Sequence, residues 1–154
     1  MITPPPRDSM LIGIAGGYAL YPEEKPDLTG LVEALRPMDF SSDTTFRIAC
    51  DRFLRYYYEH HHEDRLIDLF IAFEALFRIG PKTRKKGKTI ARKCSELIGQ
   101  DSHEINKIAK EIRDGYRLRN AVVHGDEFKE NETQEVATLL EDYLRRSIRS
   151  RLAS

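Results

Sequence analysis

EINKIAKEIRDGYRLRNAVVHG, residues 104–125, repeats apolar side chains at helical spacing and closes on a glycine. Steps of three and four give one stripe: Ile105, Ile108 with Ala109, Ile112, Tyr116, Arg119 and Val123. Asp101 with Glu104 has the pattern of a capping box opening this helix, and Gly125 the pattern of its stop. Arg119 therefore falls on the side expected to face a core. A guanidinium cannot shed its charge, so there it needs a carboxylate partner or a ligand phosphate. At about 100° per residue, His124 lies roughly 140° round from Arg119 and aligns instead with Arg113, Arg117 and Asn120. Either the last turn loosens near Gly125, or the two groups belong to a site completed by another surface. His124 also sits in the last turn, where unpaired carbonyls favour a cation, which suits a proton-transfer group.

The flanking segments have the same punctuation. Ser41, Ser42 and Asp43 offer N-caps for a helix from about Thr44 to Tyr58, with apolar positions Phe46, Ala49, Cys50, Phe53, Leu54 and Tyr57. A second helix is expected from about Glu63 to Arg78, ended by Gly80 and Pro81. A third is expected over about Thr89–Ile98, stopped by Gly99. Asn131 with Gln134 opens a last one, striped by Val136, Leu139, Leu140, Tyr143, Leu144, Ile148 and Leu152. About five amphipathic helices with short connections predict an all-α antiparallel bundle over residues 41–154. Residues 1–40 read as an irregular N-terminal extension, with three consecutive prolines, a Gly-rich apolar run at Met10–Tyr18 and a short helix at Leu28–Leu35.

Composition narrows the function classes. The 154 residues carry a net charge of +0, so no global field draws the chain to nucleic acid and any such binding must use a local patch. Cys50 and Cys94 each fall on an apolar stripe and read as buried reduced thiols, not as a disulfide or metal framework. No apolar run approaches membrane-spanning length and the N-terminus lacks the layout of a signal peptide, so a cytoplasmic protein without membrane contact is expected.

The segment Leu118-Arg119-Asn120…Val123-His124-Gly125 resembles the Arg-x4-6-His signature of the HEPN superfamily, helical domains of RNA-cleaving toxins and antiviral nucleases. It is most similar to the Apea-like HEPN group, and the upstream stretches Asp51–Leu54, Glu63–Leu69 and Phe73–Phe77 share the likeness, which spans roughly residues 44–150. The resemblance implies a helical bundle and a homodimer in which two Arg119/His124 sites face one cleft. It also implies a metal-independent endoribonuclease of a defence or toxin–antitoxin system, with RNA as substrate and an antitoxin or a larger defence assembly as partner. Arg119, Asn120 and His124 are then the catalytic residues, with no cofactor and no metal. The alternative is a non-catalytic HEPN-like module that binds nucleic acid or a partner protein. Toxins that pair with a nucleotidyltransferase typically carry a tyrosine two residues after the histidine, where this chain has Asp126.

Glu74 lies at the edge of an apolar stripe and needs a cation, as Arg119 needs an anion, so the two are expected to pair across helices. Lys82, Arg84, Lys85, Lys86 and Lys88 form a cationic run without acids, which with Arg117 is the candidate nucleic-acid surface. Without interleaved aromatic residues, that run suits backbone contact more than base stacking. His60 and Asp64 have ligand-like spacing but straddle an expected helix break, and no third ligand of fixed geometry is evident. No serine or cysteine stands in a nucleophile context.

Overall fold

The computed structural model describes Gly30 and residues 42–153. The extension expected over residues 1–40 otherwise lies outside the described residues. Residues 42–153 form an all-α antiparallel bundle: α1 (Thr44–Tyr58), α2 (His62–Leu76), α3 (Lys86–Ile98), α4 (Ser102–His124) and α5 (Glu130–Leu152). Helices α2 and α5 each touch all four of the others, and α1 packs mainly on α2 while α3 packs mainly on α4.

Helix α2 is central because its sequence is apolar on more than one face. Leu66, Leu69, Phe70, Ala72, Phe73 and Leu76 are all buried, as expected for a helix surrounded by others. Around them sit Phe46 and Ala49 of α1, Ile90, Ala91 and Cys94 of α3, Ile108 and Ile112 of α4, and Leu140, Tyr143 and Leu144 of α5. The α1 stripe is narrower than expected: Leu54 and Tyr57 are each 55% exposed, and the Tyr57 hydroxyl donates to Glu141 at 2.7 Å. Burial pushes the Cys94 thiol up to about 12 and that of half-buried Cys50 up to about 11, so both stay protonated and inert.

The caps follow sequence chemistry with informative exceptions. Asp43 accepts from Phe46 N at 3.0 Å, and also from Arg78 and Arg151, so one carboxylate ties the start of α1 to the ends of α2 and α5. Those hydrogen bonds, the backbone one foremost, hold its carboxyl well below the usual range. Asp101 caps α4 by accepting from Glu104 N at 2.8 Å, while Glu104 accepts from Gln100 N. Helix α2 stops before the expected Gly80: Arg78 takes the left-handed conformation (φ 51), and Ile79 N reaches back to Glu74 O at 2.8 Å. Helix α3 starts three residues earlier than expected, at Lys86, after Lys85 turns left-handed (φ 57).

An ion pair that the sequence reading did not foresee locks α1 to α2: Arg52 Nη1 donates to Asp68 Oδ1 at 2.6 Å. The Asp68 side chain is 9% exposed and that of Arg52 34%, so the two partners are not equivalent. Removing Arg52 strands a buried carboxylate, whereas removing Asp68 leaves a guanidinium that can turn to water. Arg52→Ala is expected to cost about 2–3 kcal/mol and Asp68→Ala about half as much, read as the shift in urea midpoint.

Candidate functional site

Helix α4 carries the Arg119–His124 segment and is regular to its end. Gly125 takes the left-handed conformation (φ 73), its N–H reaches Val122 O at 3.3 Å, and Asp126 N reaches Ala121 O at 2.9 Å. This double closure is a Schellman stop, so the last turn does not loosen. Five regular helical steps lead from Arg119 to His124, which leaves their Cα–Cβ directions roughly 140° apart. Within one chain the two groups diverge.

Arg119 is half-buried. Its Nη1 donates to Asn120 Oδ1 at 3.3 Å and its Cζ lies 5.9 Å from the centre of the Tyr116 ring. Its Nε is buried without a hydrogen-bond partner. The expected pairing with Glu74 does not form. Glu74 accepts instead from Lys86 Nζ at 2.7 Å, because the early start of α3 brings Lys86 onto the face of α2 that Glu74 occupies. Glu74 therefore does not orient Arg119, and Lys86 is committed to a protein carboxylate. His124 is exposed at the helix end, with Val123 (48% exposed) and Phe128 (36% exposed) nearby in sequence. Asn120 is half-buried beside Arg119.

Tyr116 connects Arg119 to the basic segment. Its ring packs edge-on against Phe70 at 5.2 Å and lies close over Gly87. A Cβ at Gly87 would stand 2.6 Å from the tyrosine ring, so only glycine lets the first turn of α3 approach this closely. Here lies a surface pocket of about 380 Å³ with a mostly apolar wall, lined by Tyr116 and by Lys85, Lys88, Lys110, Arg113 and Arg117. Asp114, in the same pocket, binds Lys110 at 2.8 Å and also pairs with Arg117. Those hydrogen bonds, that of Lys110 foremost, hold the Asp114 carboxyl below its usual range.

The candidate basic residues thus separate into groups. Lys85, Lys88 and Arg117 line the pocket, Lys86 is paired with Glu74, and Lys82 and Arg84 are exposed on the connection outside it. Sequence reasoning missed Lys110, Arg113 and Tyr116 as pocket residues. The signal was present, since Arg113 shares a helical face with Arg117, Asn120 and His124, but nothing in the sequence places α3 against that face. His60 lies in the connection between α1 and α2, so His60 and Asp64 lack helical spacing. Among the described residues no three His, Cys, Asp or Glu side chains group as a metal site, and no helix is long and apolar enough to cross a membrane.

Taken together, bundle and site define an all-α domain with an arginine on α4 that lacks a carboxylate among the described residues and a cation-lined pocket between α3 and α4. Comparisons with family models, with curated proteins and with solved structures find no match for the chain.

Proposed function

We propose that this chain is a metal-independent endoribonuclease of the HEPN type, of the Apea-like group, acting as a homodimer. The observation that carries the proposal is the electrostatic state of Arg119: half-buried, with an orphaned Nε and no carboxylate partner among the described residues. The Lys86–Glu74 bridge supports this reading, because it engages the carboxylate expected to make Arg119 one half of a structural ion pair. On this reading a phosphate of bound RNA supplies the anion that Arg119 lacks among the described residues. The exposure of His124 supports the same reading, since a proton-transfer group must reach its substrate.

The chemistry assigned to these residues uses the RNA's own 2′-hydroxyl. That oxygen attacks the adjacent phosphorus, the 5′-oxygen leaves, and the products are a 2′,3′-cyclic phosphate and a 5′-hydroxyl. His124 takes the proton from the 2′-oxygen or gives one to the departing 5′-oxygen. Arg119 offsets charge developing on the phosphorane, and Asn120 holds the guanidinium in place. Because Arg119 and His124 diverge on one helix, the complete site combines Arg119 of one copy with His124 of the other. A role in a cytoplasmic defence or toxin–antitoxin system, with an antitoxin or larger assembly as partner, belongs to the same proposal.

The test is cleavage of single-stranded RNA by the full chain in excess EDTA, with a parallel substrate lacking the 2′-hydroxyl at the cut position. Cleavage of the first and survival of the second is the expected result. RNA binding without cleavage would overturn the enzyme and leave a binding module in its place.

A further inference from the structure

The pocket between the first turn of α3 and the middle of α4 has no role in bond cleavage as assigned above, yet it gathers five cations, three of them without an ion pair among the described residues. Of its rim cations, Lys110 and Arg117 are tied to Asp114. Lys85, Lys88 and Arg113 have no ion pair among the described residues, and all three are exposed. In a chain of net charge +0, three unpaired cations around one concavity form a local field that attracts an anion. Lys85 is held there by a left-handed backbone (φ 57) that a non-glycine side chain adopts only at a cost. The pocket volume, about 380 Å³, is in the range of small-ligand sites and exceeds what a lone ion needs. Tyr116 supplies a wall shared with Arg119, whose guanidinium lies 5.9 Å from the centre of the same ring.

Position along α4 states what the anion is. Arg113 and Arg117 lie on the helical face that continues through Asn120 to His124. At about 1.5 Å per residue the pocket begins roughly 10–16 Å along the helix axis from His124. A strand with its scissile phosphate at the helix end and its chain running along this face passes the pocket a few nucleotides away. We propose that the pocket is a subsite for a phosphate diester of the RNA strand flanking the cleaved one, held by Lys85, Lys88 and Arg113. The identity of the anion as an RNA phosphate and the direction of the strand rest on the nuclease reading; the cationic concavity itself does not.

The experiment measures binding without cleavage. A single-stranded RNA of about ten nucleotides, 2′-O-methylated throughout, is titrated against the full chain at several salt concentrations, because each released counterion adds to the slope. Lys85→Gln/Lys88→Gln is compared with Lys82→Gln/Arg84→Gln, a control that removes the same charge from the same connection outside the pocket. The pocket pair is expected to weaken binding about tenfold and to flatten the log–log salt slope by about 1, with a much smaller effect from the control. Arg113→Gln, distant in sequence, is expected to reproduce the weakening from the other side of the pocket. Equal effects of the two pairs, or no effect of Arg113→Gln, would overturn the subsite and make the segment an undifferentiated basic surface. Binding that depends on the pocket in a protein that never cuts RNA would sustain the anion site while removing the nuclease.

Discussion

Replacing His124 by alanine is expected to lower the cleavage rate by about 10²–10⁴-fold, the usual contribution of a positioned proton-transfer group, with a stability change within about 0.5 kcal/mol. The small stability term follows from its place: the side chain is exposed, and the helix stop is built by the backbone of Gly125 and Asp126. Arg119→Met is expected to cost about 10²–10³-fold in kcat by removing charge stabilisation at the phosphorane. It is also expected to leave stability unchanged or slightly raised. Had Glu74 been its partner, removing Arg119 would have stranded a carboxylate and destabilised the bundle. Glu74 instead keeps Lys86, and the substitution removes an orphaned buried Nε while methionine retains apolar packing on Tyr116. Mixing the two inactive variants adds a geometric test. In a symmetric dimer with sites shared between copies, the heterodimer regains one intact site, so a freely exchanging mixture recovers roughly a quarter of wild-type activity. No recovery would place Arg119 and His124 of one copy in the same site, against their divergence on α4. Full activity in either single variant would assign the cleavage to other residues or to a contaminant.

The largest stability effect is expected at Phe70. Its side chain is 0% exposed, meets Tyr116 edge-on at 5.2 Å and Phe73 at 6.0 Å, and lies where α2 crosses α4. Beside it, Gly115 lets α4 close on α5, where a Cβ would stand 2.8 Å from Leu140 and 3.1 Å from Val136, while the Phe70 ring lies in ordinary contact at 3.5 Å. Neighbours pinned by such close packing cannot collapse into the space left by a deleted ring. Phe70→Ala is therefore expected to cost about 3–5 kcal/mol, measured by urea unfolding. Leu54→Ala, at a site 55% exposed, is expected to change stability by less than about 0.5 kcal/mol. Phe70 also backs the Tyr116 ring, so Phe70→Ala protein that remains folded is expected to bind 2′-O-methyl RNA more weakly. A loss below about 1 kcal/mol would mean that α2 and α4 can close the gap.

Local chemistry made most of the fold legible. Helix periodicity, the Asp43 and Asp101 caps and the Gly125 stop depend on neighbours within about four residues, and the sequence displays those neighbours directly. Errors arose where a residue acts against its usual preference. Arg78 ends α2 and Lys85 precedes α3 in conformations that glycine normally takes, so the expected Gly80 stop and Thr89 start were misplaced. Arg119 and His124 could be placed on opposing sides of α4 from spacing alone, because a regular helix converts sequence distance into angle. The choice of partners lay beyond that logic. Spacing pointed to Arg119 as the partner of Glu74, and only the approach of α3 to α2 gives that carboxylate to Lys86. The bare glycine at 87 admits Tyr116, and that contact joins Lys85 and Lys88 to Arg113, residues far apart along the chain. Such pairings depend on how closely and at what register helices approach one another, and the one-dimensional pattern of apolar and charged positions does not encode them.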